Sequence, residues 1–453
     1  MDKKRNDQEL IYQLEGRPSL LTAFPLGMQH VLAMFASNLA PILIIAGACN
    51  LVGGDLVVMM QCAMFVSGLT TFIQLYPIKI GKKFQIGAGL PIVMGTSFTF
   101  VPTATTVAAT GGIGAILGAS IVGSFTEVVM GVFYKYIRRF FPPLVVGSTL
   151  VTIGVNLMDA GVGYFAGGVG SPDFGSVKNL SIAFMVLGIV VVLQRFGKGV
   201  LKSSAILVGL VIGYIVCAFL GMVDTTQIAE AGWFSIPMPM QFKITFSAPA
   251  ILSFAALYIT SGLETIGNTS GITIAGFDRE ATEKETAGAI LADALGSTTA
   301  ALFNALPNTA FGQNAGIVSM TKVVNKWCIA VGAFVLMISG FVPKLGAVFS
   351  AIPAPVLGGA IISVFSMILI NGIKMIAKAG FSERNILVLG VTFALGLGLA
   401  KSPDAVAQLP AVLQFIFNDS VAATCIVAII LNIIFPLKDK EDIEKAKEAM
   451  RDV

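Results

Sequence analysis

Charged residues are scarce in this chain. Only 12% of its 453 residues are Asp, Glu, Lys or Arg, whereas a soluble domain carries about 25%. Hydrophobic residues make up 55%, and the mean hydropathy is +0.86. About 20 consecutive apolar residues span a bilayer as a helix, and runs of this kind tile most of the sequence. The composition therefore excludes a soluble enzyme and predicts an all-α polytopic membrane protein.

Residues that build metal, disulfide and catalytic sites are also few. The chain has one histidine and five widely spaced cysteines, and it contains no CxxC pair. We interpret the cysteines as small hydrophobic side chains. No phosphate-binding loop and no nucleophile–histidine–acid set stands out. We therefore expect no enzyme activity, no metal, no cofactor and no nucleic-acid partner.

The apolar runs predict fourteen membrane spans. If both termini are cytoplasmic, 25 of the 29 Lys and Arg residues fall on the cytoplasmic side and 4 outside, the bias that the positive-inside rule predicts for a protein of the cell membrane. One missed span would scramble this alternation. The spans lie near residues 19–46, 51–78, 84–103, 110–134, 142–160, 179–197, 203–221, 247–272, 286–303, 308–322, 325–341, 354–373, 385–400 and 410–436.

The fourteen spans divide into two sets of seven, joined by a polar loop at 223–243. Because seven is odd, the second set enters the membrane in the opposite orientation. This predicts an inverted repeat, a common arrangement in secondary transporters. Without any sign of ATP use, the energy is expected to come from an ion gradient.

The third and tenth spans are both interrupted by glycine and proline. Gly87–Pro91, residues 94–98 and Pro102 interrupt the third, and Pro307 with residues 310–316 interrupts the tenth. Non-helical backbone at membrane depth is tolerated where it is buried in protein or lines a cavity. The matched pair predicts short extended segments at a binding site. The alternative is two glycine-rich packing helices.

Two of the carboxylates inside predicted spans are candidates for chemistry. Glu264 is at mid-span, where a charge costs at least about 2.5–3.5 kcal/mol, so we expect it to face a cavity. It can accept hydrogen bonds from ligand N–H groups and can exchange a proton; the alternative is a pairing with another span. Asp293 carries the same cost, and a helix-packing hydrogen bond is an equally good interpretation of it.

Amides at the break in the tenth span are candidate ligand-binding groups. Gln313 and Asn314 each present a donor and an acceptor, which suit the N–H and C=O edge of a planar heterocycle. Backbone N–H groups there, including that of Gly312, and those at Ser97 and Phe98 could serve likewise, and Phe98 offers a stacking face. The amides could instead satisfy only the broken backbone.

His30 is the only histidine and follows Gln29 in the first span. A lone histidine on an apolar face is more often a packing residue than a proton carrier, so a direct proton role is the weaker interpretation. Glu127 is interpreted as a packing or gating residue.

The segment Gln313-Asn314-x-Gly316-x4-Thr321-Lys322 resembles the signature of the nucleobase–ascorbate transporter (nucleobase:cation symporter) family. Gln29-His30, Gly95-Thr96-Ser97-Phe98, Glu264 in Glu-x-Ile-Gly, and Asp293 before Leu295-Gly296-Ser297 also look like that family. The resemblance covers essentially the whole chain.

The resemblance implies two moving parts. Spans 1–4 (19–134) and 8–11 (247–341) would form a core domain, and spans 5–7 (142–221) and 12–14 (354–436) a gate domain that also makes a homodimer. Residues 1–18 and 437–453 would be cytoplasmic tails. The core would carry substrate past the gate as an elevator, driven by the proton gradient.

The resemblance also implies roles for site residues. Glu264 and Gln313 would hydrogen-bond the base and Phe98 would stack near it. Asn314 would support the site, Asp293 would couple protons or organise the core, and His30 would tune affinity. Gln29 and Asn268 are expected to belong to the same group of residues for proton coupling or site support.

The substrate is less sharply implied. Gln313 favours xanthine or uric acid, because uracil carriers of the family tend to have Glu there. Asn268 departs from the pattern, since xanthine carriers often have an acidic residue at this place and uracil carriers a histidine.

Two other functions remain as alternatives. One is a uracil permease of the same fold. The other is an anion exchanger of the sulfate and bicarbonate class, against which Glu264 argues. A channel would need a continuous polar stripe, which is not seen.

Overall fold

The fold was analysed in a computed structural model that describes residues 9–81, 84–137 and 142–436. The predicted C-terminal tail (437–453) and the first eight residues of the predicted N-terminal tail lie outside the described residues. Besides the cations within these two stretches, four others used in the charge pattern lie outside the described residues: Lys82, Lys83, Arg138 and Arg139.

Up to residue 230 the described residues form mainly apolar helices with three short strands. Helices of eight or more residues are numbered, and shorter helices run over Tyr134–Ile137, Val200–Ser203 and Thr226–Glu230. The numbered elements are α1 (Leu20–Ala48), α2 (Gly54–Leu75), β1 (Ile78–Ile80), β2 (Phe84–Ile86), β3 (Met94–Thr96), α3 (Val101–Gly123), α4 (Phe125–Val132), α5 (Pro143–Phe165), α6 (Val177–Phe196) and α7 (Ala205–Phe219).

The remainder has the same character, with one short strand. A 3₁₀ turn at Pro403–Val406 is its only described 3₁₀ element between residues 231 and 436. The elements are α8 (Ala248–Phe277), α9 (Glu283–Leu302), β4 (Asn308–Ala310), α10 (Gly312–Thr321), α11 (Lys326–Ser339), α12 (Pro343–Ser350), α13 (Ala354–Ala379), α14 (Glu383–Lys401), α15 (Ala411–Asn418) and α16 (Ser420–Ile434).

The helical, membrane-spanning class is confirmed. Among the described residues, eight helical stretches are long and apolar enough to cross a membrane, with α3 and α4 taken together, and α11 with α12 adds a ninth that is bent by 81°. Each of the fourteen predicted spans coincides with at least part of a helix. The count of fourteen and the inverted repeat stay predictions.

The short extended segments predicted in spans three and ten are present as β3 and β4. The third span differs in its boundaries, since its helix starts only at Val101 and α3 continues through the predicted loop at 104–109. The division between spans three and four is a kink at Gly112, with φ 61° and ψ −166°. Glycine tolerates this positive φ without steric cost, so the chain turns there without a separate loop.

Helix packing groups the elements into two sets. In one set, α11 packs on α1 and α2, α8 on α3, and α9 on α4. In the other, α13 packs on α5 and α6, and α14 on α16. Helix α8 also meets α15 and α16 across the boundary. The division into a core domain and a gate domain stays a prediction.

Candidate functional site

The two extended segments pair with each other at the centre of the fold. Strands β3 and β4 are antiparallel, with Gly95 opposite Thr309. Next to the pair, the Ser97 amide donates to the Pro307 carbonyl at 2.9 Å, so that amide is not available to a ligand. The Thr96 amide donates to Oδ1 of Asn38 at 2.7 Å. Backbone that cannot be helical is thus satisfied within the protein, as membrane depth requires.

A cavity of about 320 Å³ opens beside this strand pair. Its volume is within the range of roughly 300–1,000 Å³ that is usual for small-molecule sites. Its wall is formed by the segments at the two helix breaks, around β3 and β4, together with α8 and α13. The lining residues are Thr96, Ser97, Phe98, Thr99, Glu264, Thr309, Ala310, Phe311, Gly312, Gln313, Val364, Met367, Ile368, Asn371 and Lys374.

Glu264 projects from α8 into this cavity. Its Oε2 accepts a hydrogen bond from the Thr99 hydroxyl at 3.0 Å. An ionised carboxylate has about four acceptor positions, so one hydroxyl leaves capacity for further N–H donors. The carboxylate is therefore a hydrogen-bond acceptor that faces the ligand space.

Gln313 lies in the first turn of α10, directly after β4. Its Nε2 donates to the Ser37 hydroxyl of α1 at 3.3 Å, while its Oε1 has no hydrogen-bond partner among the described residues. The first N–H groups of a helix have no partner within the helix, and Phe311, which precedes α10, provides no side-chain cap. The start of α10 therefore presents backbone donors, and the unused acceptor of Gln313 is buried next to them.

Phe98 and Ser97 form another part of the wall. The Phe98 ring packs edge-on against Phe365 of α13, with ring centroids 5.5 Å apart at 80°. The Ser97 hydroxyl accepts from the Thr99 amide at 3.2 Å. Phe98 thus joins the strand segment to the helix on the opposite side of the cavity.

Asn268 lies one helical turn beyond Glu264. Its Nδ2 donates to the Ala310 carbonyl at 2.7 Å, which ties α8 to β4. It lines an adjoining cavity of about 310 Å³ that also reaches Lys378. Five residues belong to both cavities: Glu264, Gly312, Ile368, Asn371 and Lys374.

Asp293, His30, Asn314 and Gln29 are not among the residues that line either cavity. Asp293 is buried on α9 and accepts hydrogen bonds from the Thr265 and Thr309 hydroxyls. Since Thr265 follows Glu264 and Thr309 lines the cavity, Asp293 holds two parts of the wall from behind.

The side chains of His30 and Asn314 are hydrogen-bonded to each other. The distance from Nδ2 of Asn314 to Nδ1 of His30 is 3.1 Å. Gln29 lies farther off, where its Nε2 donates to the Ser203 hydroxyl at 3.4 Å. Of the sequence candidates, the structure thus brings Glu264, Gln313, Gly312, Phe98 and Ser97 to one cavity, with Asn268 beside it.

Comparison with known proteins agrees with this architecture. The Xan_ur_permease model, described as "Permease family", matches residues 21–405. This chain belongs to that permease family. The uric acid permease PucK of Bacillus subtilis is 35% identical over 418 residues, which are 91% of this chain and 95% of PucK. The xanthine permease of the same organism is 34% identical over 420 residues, 92% of this chain and 94% of that one.

A solved structure shows the same fold. The transmembrane domain of the bicarbonate transporter BicA from a cyanobacterium matches with a TM-score of 0.59, and the match covers 92% of the permease and 99% of that domain. The sequences are 15% identical, so the likeness concerns the fold alone.

The structure of the permease adds residues that sequence reasoning missed. Thr99 and Thr309 line the cavity from the two breaks, and Asn371 and Lys374 line it from α13. A signal for the last two was present, since Asn371, Lys374 and Lys378 are spaced by three and four residues in an otherwise apolar run. Within the described ranges, no three His, Cys, Asp or Glu side chains are placed to hold a metal ion.

Glu127, which the sequence analysis interpreted as a packing or gating residue, lies in the interior of the permease. It is fully buried on α4, as Asp293 is on α9, and neither residue lines either of the two cavities. The protein interior therefore holds two carboxyl groups besides that of Glu264, which lines the cavity.

Proposed function

We propose that this permease is a secondary transporter that imports a purine nucleobase, xanthine or uric acid, across the cell membrane together with protons. The observation that carries the proposal is the placement of the Glu264 carboxylate and the Gln313 amide on one cavity of small-molecule size. The names of the two Bacillus relatives support the choice of base.

The cavity suits the edge and the faces of an oxopurine. The ring edge presents N–H groups, and Glu264 can accept hydrogen bonds from them. It also presents carbonyl oxygens, to which the backbone N–H groups at the start of α10 can donate. A rotation of the Gln313 side chain would bring its buried Oε1, which has no partner among the described residues, to a further N–H. Phe98 supplies an aromatic face, and aromatic rings favour offset-stacked or edge-to-face contacts.

Transport requires the cavity to face each side of the membrane in turn. The cavity lies between α8, the strand pair and α10 on one side and α13 on the other. We propose that the first set moves as a core domain against a gate domain that contains α13, in an elevator-type cycle. Homodimerisation through the gate domain and cytoplasmic termini are part of the same proposal, and light scattering of the detergent-solubilised protein tests the dimer.

Protons would be exchanged within the carboxyl series of Glu264, Asp293 and Glu127. Glu264 touches the ligand space, so its protonation can respond to substrate, and Asp293 lies directly behind it. No cofactor is needed in this scheme, because the proton gradient supplies the energy.

Uptake of radiolabelled xanthine tests the proposal. Cells without their own purine permeases would express this chain, and uptake would be followed with and without a proton uncoupler and with excess urate, hypoxanthine, guanine or uracil. We expect the uncoupler to abolish uptake and urate, but not uracil, to block it. Uptake of uracil in place of xanthine would overturn the purine assignment, and uptake that ignores the uncoupler would overturn proton coupling.

A further inference from the structure

One face of α13 is polar where the helix meets the cavity. Asn371 and Lys374 line the cavity beside Glu264, and Lys378 lines the adjoining one. Residues three, four and seven apart lie on the same side of a helix. The three side chains therefore form one polar stripe that runs from the ligand space towards the end of the helix at Ala379.

The opposite face of α13 is fixed by close packing on α5. A methyl group at Gly372 would lie 2.8 Å from the Gly147 carbonyl oxygen and 2.7 Å from the Val151 amide, so these helices cannot separate or rotate there without loss of contact. At 3.6 residues per turn, Lys374 lies about 200° around the helix from Gly372. Packing at Gly372 thus directs Lys374 to the cavity.

Lys374 has no hydrogen-bond or ion-pair partner among the described residues. Lys374 is an exposed residue of the cavity lining, and Glu264 is the one residue of that lining that carries a carboxyl group. A lysine ammonium is a compact charge on a flexible stem with three donors, so it can reach ligands of somewhat different shape. An unpaired ammonium beside the ligand space favours a ligand that carries negative charge.

We propose that Lys374 is a specificity-determining residue that favours oxopurines in their anionic form over neutral ones. Uric acid is largely a monoanion at neutral pH, whereas hypoxanthine is neutral. Glu264 accepts the remaining N–H groups on one edge of the base, and Lys374 binds the charged oxygen side from the facing helix. This inference rests on the proposed function and names the substrate form that the same site selects.

The placement of Lys374 also assigns it a role in the transport cycle. It belongs to α13, on the other side of the cavity from Glu264 and Gln313. A ligand that touches all three is held by both sides of the cavity, and separation of the two sides breaks the contact with Lys374. Charge selection therefore occurs where the substrate meets the facing helix.

Inhibition constants against labelled xanthine uptake test the inference. Unlabelled urate and hypoxanthine would be compared in the unaltered protein and in Lys374→Gln, Lys374→Arg and Lys401→Gln. Lys401 ends α14, away from both cavities, and matches the loss of one charge. A hydrogen bond to a charged group contributes about 1.5–3 kcal/mol, so urate affinity should fall by on the order of tenfold or more in Lys374→Gln.

The expected pattern is specific. Hypoxanthine affinity should stay unchanged in Lys374→Gln, Lys374→Arg should keep most of the preference for urate, and Lys401→Gln should behave like the unaltered protein. Equal losses for both bases, or an unchanged preference for urate, would overturn the inference. Inhibition by sulfate or bicarbonate that depends on Lys374 would also overturn it, because the site would then be a general anion site.

The test of charge selection by Lys374 can be kept separate from the test of the proposed function. If Lys374→Gln does not reach the membrane, binding of urate and hypoxanthine to the purified unaltered protein gives the answer, since equal affinities would refute charge selection. Failure of the unaltered protein to take up xanthine or urate would instead refute the proposed function itself.

Discussion

Nδ2 of Asn314 lies 3.1 Å from Nδ1 of His30 and donates to the His30 carbonyl oxygen at 3.2 Å. The residue next to Gln313 is therefore bonded to the first helix and does not line the cavity. Gln313 and Asn314, adjacent in sequence, have different tasks. Gln313 lines the cavity, whereas Asn314 fixes α10 against α1.

Asn314→Ala should therefore weaken the fold more than it changes selectivity. Loss of a buried hydrogen-bonding partner costs about 1–3 kcal/mol, which a lower thermal unfolding midpoint in detergent would show. The order in which purines inhibit xanthine uptake should be preserved. Gln313→Ala is the contrasting variant, for which we expect an altered inhibitor order with little change in stability. A reversed pattern would contradict this division of tasks.

The breaks in the helices could be predicted from sequence, but the pairing of the broken segments could not. Pro307, Pro91 and the glycines near them signal that these stretches are not helical. The register that puts Gly95 opposite Thr309 joins residues more than 200 positions apart. It depends on how two helix sets pack, which local sequence does not contain.

Lys374 illustrates the same limit in the site. A cation at the end of an apolar run is typical of a cytoplasmic loop, and the predicted span ended at residue 373. The helix continues to Ala379, and the packing of Gly372 on α5 places Lys374 on the cavity side of the helix. Glu264 was easier to predict, because a carboxyl group in the middle of an apolar span is costly wherever it points.

Two glycines of α10 give a matched pair of variants. A methyl group at Gly312 would lie 2.9 Å from Oδ1 of Asn268, whereas nothing lies within 4 Å at Gly316. Gly312→Ala should disturb the bond from Asn268 to Ala310, at a cost of about 1 kcal/mol, and weaken xanthine binding several-fold. Gly316→Ala should be neutral or stabilise the helix by up to about 1 kcal/mol.

Thermal unfolding with and without xanthine measures both effects. Identical behaviour of the two variants would show that the contact between α10 and Asn268 does not shape the cavity.

The turn between α8 and α9 should respond to acid. Partial burial opposes ionisation of Glu285, but hydrogen bonds from Arg279 and Thr282 outweigh it and hold the pKa of Glu285 below its ordinary value of 4.5. Arg279 bonds both carboxylate oxygens, at 2.8 and 2.6 Å. Thr282 and Glu285 also form the capping box of α9.

Because the folded pKa is lowered, the stabilisation is present above pH 4.5 and is lost as pH falls through the folded pKa. The protection of residues 279–286 against hydrogen exchange, taken relative to the intrinsic exchange rate at each pH, should therefore fall as pH drops through the folded pKa of Glu285. Glu285→Gln should show the lower protection already at pH 7, with no further loss on acidification. Protection that is independent of pH in the unaltered protein would refute the link.

Under the proposed function, substitutions of Glu264 and of Asp293 should have different effects. The first should weaken substrate binding, and the second should remove proton coupling. Glu264 faces the ligand space, whereas Asp293 bonds Thr265 and Thr309 behind it. Glu264→Gln removes a charged acceptor for ligand N–H groups, so xanthine affinity should fall by at least about 30-fold, which corresponds to roughly 2 kcal/mol. Glu283→Gln, at the exposed start of α9, is the control that loses one carboxylate elsewhere.

Asp293→Asn keeps an oxygen that can accept from Thr265 and Thr309, so the cavity wall should persist. We expect it to bind xanthine within several-fold of the unaltered protein but to lose the uncoupler-sensitive accumulation, because an amide cannot exchange a proton as a carboxyl group does. Equilibrium binding to purified protein and uptake into cells separate the two quantities. If Asp293→Asn abolished binding while Glu264→Gln retained it, the roles would be reversed, and the carboxyl group behind the wall would govern substrate recognition.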